Sequence, residues 1–381
     1  MMMMKEIARP VWAEVDLGAV AHNVQAVKGL LKPKTKLMAI VKANGYGHGA
    51  FQIARTALKH GAEYLGVATL GEGVRLREQG IEAPIIVLGY TPADEVQEVL
   101  DYRIATTLYT WEMAEALSRA AVERGEQAYG HVKIDTGMGR IGFLPEKESI
   151  ETIKKIVALP GLTVEGLFTH FSAADEADKT YTRKQLTLFK EFISQLEQEG
   201  IDIPLKHAAN SAGLIDLPET HFDMVRAGII LYGLYPSEEV ERDRIKLIPA
   251  MTLKARVSFV KQVEAGACIS YGRKYTAQDK RVIATLPLGY ADGYPRSLTH
   301  KSQVLLGGQR VPTVGRICMD QLMVDASTVP QVKIDDEAVI FGSQGKERIA
   351  VEEIAEMLQT INYEIVCMLS ERVPRIYLNE N

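Results

Sequence analysis

Short apolar runs alternate with longer segments of helical periodicity up to about residue 244. The runs Leu37–Val41, Tyr64–Thr69, Ile85–Gly89, Ile104–Tyr109, Val132–Asp135, Val164–His170, Lys206–Asn210 and Met224–Gly228 have strand length and end in turn residues. They predict eight strands, the seventh and eighth being weak by composition. Between them, Ala50–His60, Val74–Gln79, Trp111–Arg124, Ser149–Ala158 and Arg183–Glu199 carry apolar residues at helical spacing. Ahead of the first run lies an extended piece, Ala8–Val15. Asp16 then reads as the N-cap of a helix bearing Leu17, Val20, Val24 and Val27, which Lys32-Pro33 ends. Strands alternating with helices imply parallel pairing through right-handed crossovers, and eight in succession predict a closed barrel rather than an open sheet.

Beyond Arg244 the texture changes. Leu253–Gln262, Arg281–Leu286, Gln303–Leu306, Arg310–Val314, Gln321–Val324 and Glu337–Phe341 are separated by Gly, Pro and Asp, with one late helix at Val351–Leu358. The fold class expected is therefore α/β: an N-terminal (β/α)8 barrel of TIM type over residues 12–244, then a mostly-β domain over 245–381. The charged stretch Glu238–Lys246 marks the boundary. Residues 1–11 are expected to pack with the second domain, and the four leading methionines to be disordered or a start-site artefact.

Composition narrows the class. A formal charge of −5 over 381 residues argues against an electrostatic nucleic-acid surface. Cys268, Cys318 and Cys367 form no Cys-x-x-Cys pair. They suggest reduced thiols rather than a disulfide framework or a metal site. No run has the length of a membrane span and the start lacks a signal-peptide core. A cytoplasmic protein without metal, membrane or nucleic-acid partners is expected.

Functional groups of parallel barrels collect at the C-terminal ends of the strands. Lys42 follows the first strand, His170 the sixth, Asn210 and Ser211 the seventh, and Arg226 lies near the end of the eighth. Each has an ordinary reading: Lys42 as a solvated strand cap, His170 or His207 as a satisfied core histidine, Arg226 as the partner of a carboxylate such as Asp223. Their common rim favours a site, since independent core polar residues have no reason to share one face. The loops after strands seven and eight commonly hold phosphate. Here they offer the Ser211 hydroxyl and the backbone N–H groups of Gly228 and Ile229. In the second domain, 269–273 and 288–294 flank tyrosines with glycines, as turns that present a phenol or as turns with an aromatic packed on the core, and 315–320 is a third glycine-led segment.

The segments Lys42-Ala-Asn-Gly-Tyr-Gly-His-Gly, Val132-Lys-Ile-Asp-Thr-Gly-Met-Gly-Arg140, Arg226-Ala-Gly, Ser270-Tyr-Gly and Cys318-Met-Asp stand in this order along the chain. Together they resemble the alanine racemases that depend on pyridoxal 5'-phosphate (PLP, fold type III), over essentially the whole length. The resemblance implies interconversion of L- and D-alanine, supplying D-alanine for peptidoglycan, in a homodimer whose sites are shared between chains. It implies that Lys42 forms the Schiff base with PLP and handles the proton of the D-isomer, while Tyr271 of the partner subunit handles that of the L-isomer. It further implies that Arg226 bonds the pyridine nitrogen, with His207 supporting it and His170 linking Tyr271 to the same network. Asn210 belongs to the cofactor pocket, and Tyr46, Ser211, Gly228, Ile229 and Tyr363 hold the phosphate. Arg140 and the Met319 backbone bind the substrate carboxylate. The resemblance also implies that Lys133, often carbamylated in relatives, would as a carbamate orient Arg140, and that Tyr290, Cys318 and Asp320 support the site. Asp175, Arg296 and Arg316 match positions lining the access corridor.

An arginine at the ring nitrogen cannot give up a proton, so the ring is a weaker electron sink than it is opposite an aspartate. That suits a racemase, which must return a proton to Cα. Alternatives within reach are a racemase of serine or broader specificity, a decarboxylase of basic amino acids and a non-catalytic PLP carrier. Arg226 speaks against the decarboxylase, the second domain against the carrier, and the lack of a disulfide framework against exported broad-specificity racemases.

Overall fold

The computed structural model describes residues 9–380. The chain divides into two compact units. One comprises Ala19–Gly45 and Gly49–Pro249; the other comprises the residues up to Gly18, Tyr46–His48 and the chain from Ala250 onward.

A strand, β1 (Val11–Asp16), and a helix, α1 (Leu17–Leu30), come first. The eight apolar runs then form β2 (Lys36–Ile40), β3 (Tyr64–Val67), β4 (Ile85–Val87), β5 (Ala105–Leu108), β6 (Ala128–Lys133), β7 (Leu162–Phe168), β8 (Leu205–His207) and β9 (Met224–Ala227). Each pairs with the next, and β2 pairs in parallel with β9, Leu37 beside Val225, which closes the barrel. Strands buried on both faces read as continuous apolar runs, which is why β3, β4 and β5 are buried along their whole length. β8 is only three residues long, matching its weak sequence signal.

The connecting helices are α2 (Ala50–Lys59), α3 (Leu70–Glu78), α4 (Val96–Asp101), α5 (Trp111–Arg124), α6 (Lys147–Val157), α7 (Thr180–Gln198) and α8 (Ser211–Asp216). Helix α6 buries Ile150, Ile153 and Ile156. That spacing sets one apolar stripe against the barrel. Thr110 caps α5, its side chain accepting from the Met113 N–H at 3.3 Å, and Gly125 ends the helix at φ 64°. Short α4 carries too few apolar positions to announce itself in the sequence.

In the second unit one large sheet runs in the spatial order Phe259–Val263, Arg281–Leu286, Leu322–Asp325, Gln309–Val314, Gln303–Leu306, Glu337–Gln344, Met251–Arg256, β1, Arg375–Leu378. β1 therefore sits in this sheet, antiparallel to Met251–Arg256 and parallel to Arg375–Leu378, although the sequence reading begins the barrel at residue 12. The run Leu253–Gln262 is two strands, parted at Val257-Ser258. Helices α9 (Val351–Leu358) and α10 (Asn362–Cys367) complete the unit. The expectations for residues 1–8, the leading methionines included, lie outside the described residues; Arg9 pairs with the buried Asp292.

Candidate active site

Lys42 stands two residues past β2 and is half-buried. The turn after it is left-handed: φ is 52° at Ala43, 52° at Asn44 and 60° at Gly45. Left-handed backbone costs roughly 1–2 kcal/mol for an ordinary L-residue, so something must hold Ala43 there. Glu72 does. Its Oε1 accepts from the Ala43 N–H at 2.6 Å and its Oε2 from the Ala68 N–H at 2.7 Å. Gly45 N–H donates to Val41 O at 2.8 Å, and Asn44 Oδ1 accepts from Ala50 N–H at 3.0 Å, opening α2. The glycine-rich tail is thus a fixed turn that aims the lysine.

Arg226, inside β9, is 3% exposed and meets no carboxylate among the described residues. Asp223, the alternative partner, accepts from the Lys206 N–H instead. The terminal nitrogens of Arg226 donate to the carbonyls of Thr169 (2.8 Å), Ala208 (2.9 Å) and His207 (3.1 Å), to His207 Nδ1 (2.9 Å) and to His170 Nδ1 (3.1 Å). None of these bonds uses Nε. Strand-end carbonyl dipoles thus replace a counter-ion. Burial, reinforced by Arg140, pushes the guanidinium down to about 9. Burial and then Arg226 hold both His170 and His207 well below the usual imidazole range. They are neutral, and because each accepts at Nδ1, each carries its proton on Nε2. Phe168 packs beneath the group: His207 stacks on its ring at 4.8 Å, and Arg226 and Lys133 each lie 5.4 Å from its centroid.

Lys133, at the end of β6, is 2% exposed and donates to Ile134 O at 3.0 Å. Burial and then Arg226 push its amine down to about 7. The following loop folds round Asp135. Its Oδ1 accepts from Gly137, Met138 and Gly139 N–H at 2.9, 2.8 and 3.1 Å, and its Oδ2 from Arg140 N–H at 3.0 Å. Burial raises this carboxyl, but the backbone donors outweigh it and hold it below the usual range. Arg140 is thereby presented to solvent from a rigid loop.

Asn210 caps α8 through Gly213 N–H at 2.9 Å, and Ser211 is the first residue of that helix. Ser211 Oγ accepts from Gly228 N–H at 2.9 Å, so two of the expected phosphate ligands meet at one point. Ile229 opens the next short turn, where the first N–H groups have no acceptor within the turn itself.

In the β unit, Tyr46 is buried with its ring 6.0 Å from that of Tyr363, and burial raises its phenol above the usual range. The segments 269–273, 288–294 and 315–320 pack together. Ser270 Oγ donates to Arg316 O at 2.6 Å, and Tyr290 and Ala291 N–H donate to the Cys318 and Met319 carbonyls at 3.1 and 3.0 Å. Asp320 pairs with Arg372 at 2.7 Å. Tyr271 is 66% exposed, on a turn whose leading Ser270 has φ 66°. Sequence reasoning assigned no role to Glu72, Asp135, Asp292, His131 or Glu165. Of these, Asp135 carried a usable signal, an aspartate followed by two spaced glycines, the mark of a side chain closing its own turn.

Family models described as "Alanine racemase, N-terminal domain" and "Alanine racemase, C-terminal domain" match residues 15–236 and 250–377. An alanine racemase of Desulforamulus reducens is 51% identical over 97% of this chain and 99% of its own. The solved alanine racemase of Clostridium difficile 630 superposes with a TM-score of 0.94 at 44% identity, covering 98% of this chain and 97% of that one. Its complex with cycloserine gives 0.93 at 43%, over 99% and 98%.

Proposed function

The chain belongs to the alanine racemase family, and from that premise we propose how its residues divide the reaction. It is an amino-acid isomerase that interconverts L-alanine and D-alanine. The donor set fits pyridoxal 5'-phosphate: an amine on a fixed turn, a hydroxyl beside backbone N–H groups for a dianion, and a guanidinium whose Nε–H meets no acceptor among the described residues, suited to a ring nitrogen. When bound, PLP supplies an electron-withdrawing ring that acidifies the α-proton of the alanine joined to it.

Lys42 holds the cofactor and moves the α-proton on the D side; Tyr271 of the partner subunit moves it on the L side. Arg226 holds the ring nitrogen with its charge intact, its position set by His207 and the strand-end carbonyls. His170 carries its proton on Nε2 and offers it to the phenol of Tyr271, which assists a tyrosine acting as a base. Tyr46, Ser211, Gly228, Ile229 and Tyr363 hold the phosphate, with Asn210 fixing the helix start that bears Ser211. Arg140 and the Met319 backbone hold the substrate carboxylate; Tyr290, Cys318 and Asp320 brace that region. The Lys133 amine, held down to about 7, is suited to adding to CO2: its nitrogen lone pair would form the N–C bond, one C=O π pair would move to oxygen, a proton would leave nitrogen, and the carbamate anion would interact with the cations Arg226 and Arg140. Most of the cofactor ligands lie in residues 12–244, while 245–381 carry Tyr363 and the second base; with Tyr271 supplied by the partner subunit, the active unit is a homodimer. The D-alanine serves peptidoglycan. Among the described residues no helix is long and apolar enough to cross a membrane, and we place the enzyme in the cytoplasm.

The buried Arg226, paired with neutral acceptors only, is the observation that carries this reading. An absorbance band near about 420 nm that borohydride abolishes is expected. Lys42→Ala retaining covalently bound PLP would overturn the assignment. Deuterium exchange at Cα across a panel of L- and D-amino acids tests specificity, with exchange of serine at the rate of alanine marking the broader racemase.

A further inference from the structure

The hydrogen bonds of Arg226 continue inward through residues that the reaction does not use. His207 Nε2 lies 2.9 Å from His131 Nδ1, and His131 Nε2 lies 3.9 Å from Glu165 Oε2. Both imidazoles are fully buried, whereas the Glu165 side chain is 31% exposed. The direction of the chain is fixed from the Arg226 end, because an arginine only donates. So His207 accepts at Nδ1 and donates from Nε2, and His131 accepts at Nδ1. The remaining His131 Nε2–H has no hydrogen-bond partner among the described residues and stands at ion-pair distance, 3.9 Å, from Glu165 Oε2.

Two backbone features build this chain. The pairing of β6 with β7 jumps from Gly130–Val164 to His131–Gly166, so Glu165 is the extra residue of a bulge, a device uncommon between parallel strands. Gly166 supplies the room: a Cβ there would lie 2.0 Å from His131 Nδ1. A packed apolar core needs neither feature.

We propose that His131 and Glu165 are positioning residues of the active site, acting through His207 to fix the Arg226 guanidinium. The proposal rests on the reading of Arg226 as the group facing the cofactor ring. Without His131, the His207 Nε2–H loses its acceptor. A half-turn of the ring then costs nothing at that end and puts a C–H where Nδ1 met Arg226. The bond at 2.9 Å is lost, and the guanidinium gains freedom at the point where its charge is needed.

The test uses the holoenzyme with His131→Leu, His131→Asn, Glu165→Leu and Arg226→Lys. Nitrogen NMR reads the proton position on His207, the cofactor absorbance reads the ring environment, and kcat and KM are taken for both isomers. In the parent, His207 is expected neutral with its proton on Nε2. His131→Leu should broaden or reverse that signature, shift the cofactor band and lower kcat about tenfold with KM nearly unchanged. His131→Asn, whose amide oxygen takes the place of Nδ1, should restore kcat to within about threefold of the parent. Glu165→Leu, at a half-exposed position, should act in the same direction as His131→Leu but more weakly, and it carries the test should His131→Leu fail to fold. Equal losses in His131→Leu and His131→Asn, or an unchanged His207 signature and cofactor band in every variant at 131 and 165, would overturn the proposal. Should Arg226→Lys leave the cofactor band and kcat unaltered, the reading of Arg226 fails; a response there with none at 131 and 165 rejects the positioning chain alone.

Discussion

Arg226 and Tyr271 sit in opposite kinds of surroundings. The arginine is 3% exposed, tied by five hydrogen bonds to carbonyls and imidazoles that the barrel itself places. The tyrosine is 66% exposed, on a turn strained at Ser270, whose Oγ donates to the Arg316 carbonyl at 2.6 Å. A buried cation without a counter-ion is expensive, and it persists only where surrounding dipoles are already oriented. An exposed phenol on a strained turn is inexpensive to hold but has nothing to act on alone. The barrel fixes Arg226 from inside, whereas the second unit presents the Tyr271 phenol outward.

The largest expected effect comes from the outward base. Tyr271→Phe should lower α-proton exchange from L-alanine by roughly 10²–10⁴-fold, the usual worth of a positioned base, and exchange from D-alanine far less. Circular dichroism should register little change, because the side chain packs on little. Equal loss from both isomers would contradict the division of labour between Tyr271 and Lys42.

Changing the inward group should cost both activity and stability. Arg226→Lys keeps the charge but has too few donors for five acceptors, leaving His207 Nδ1 or a buried carbonyl unpaired. At about 1–3 kcal/mol for a stranded buried group, the melting temperature should fall by several degrees and PLP affinity by roughly tenfold to a hundredfold. A lysine variant as stable as the parent would show that the carbonyl cage is not what holds the cation.

Asp135→Asn sharpens the contrast within the barrel. The amide keeps one acceptor oxygen for Gly137, Met138 and Gly139 but turns a donor towards the Arg140 N–H. The loop then holds Arg140 less firmly, and KM for alanine should rise several-fold while kcat changes less, for a loss of about 1–2 kcal/mol. Steady-state kinetics in both directions checks it.

The barrel was legible because strands buried on both faces must be apolar throughout, and eight such runs leave few alternatives. Lys42, Arg226 and Tyr271 stood out because their segments are specific, and Ser211 only because of where it falls after the seventh strand. What holds them was not. Glu72 clamps the lysine turn from the first turn of α3, a pairing set by tertiary approach with no spacing rule. The insertion of β1 beside Arg375–Leu378 joins the two ends of the chain, which local periodicity does not report. His131 lies two residues before Lys133, a strand period that puts both on the barrel's inner face, but the bulge at Glu165 has no sequence mark. Chemistry that ends at a side chain can be read along the chain; chemistry that depends on what stands behind the side chain needs the fold.

The last expected effect is a pH dependence of stability, and it concerns Lys133, where the inward logic is carried furthest. Burial brings its amine from 10.5 to about 7 in the folded chain, whereas unfolding restores the ordinary value. Between these values the unfolded chain binds the proton and the folded chain does not, so stability rises with pH through that window. Below about 7 both states are protonated and the full cost of the buried charge is present; above 10.5 both are neutral and the cost has gone. Lys133→Met lacks the proton altogether. In carbonate-free buffer, urea midpoints for parent and variant should therefore converge as pH rises from about 7 towards 10, the parent gaining on the variant, and stay parallel at lower pH. Added bicarbonate should stabilise the parent alone, because a carbamate removes the buried cation and gives Arg226 and Arg140 an anion. Midpoints parallel across the whole range would mean that Lys133 stays charged in the folded chain, and bicarbonate would then do nothing.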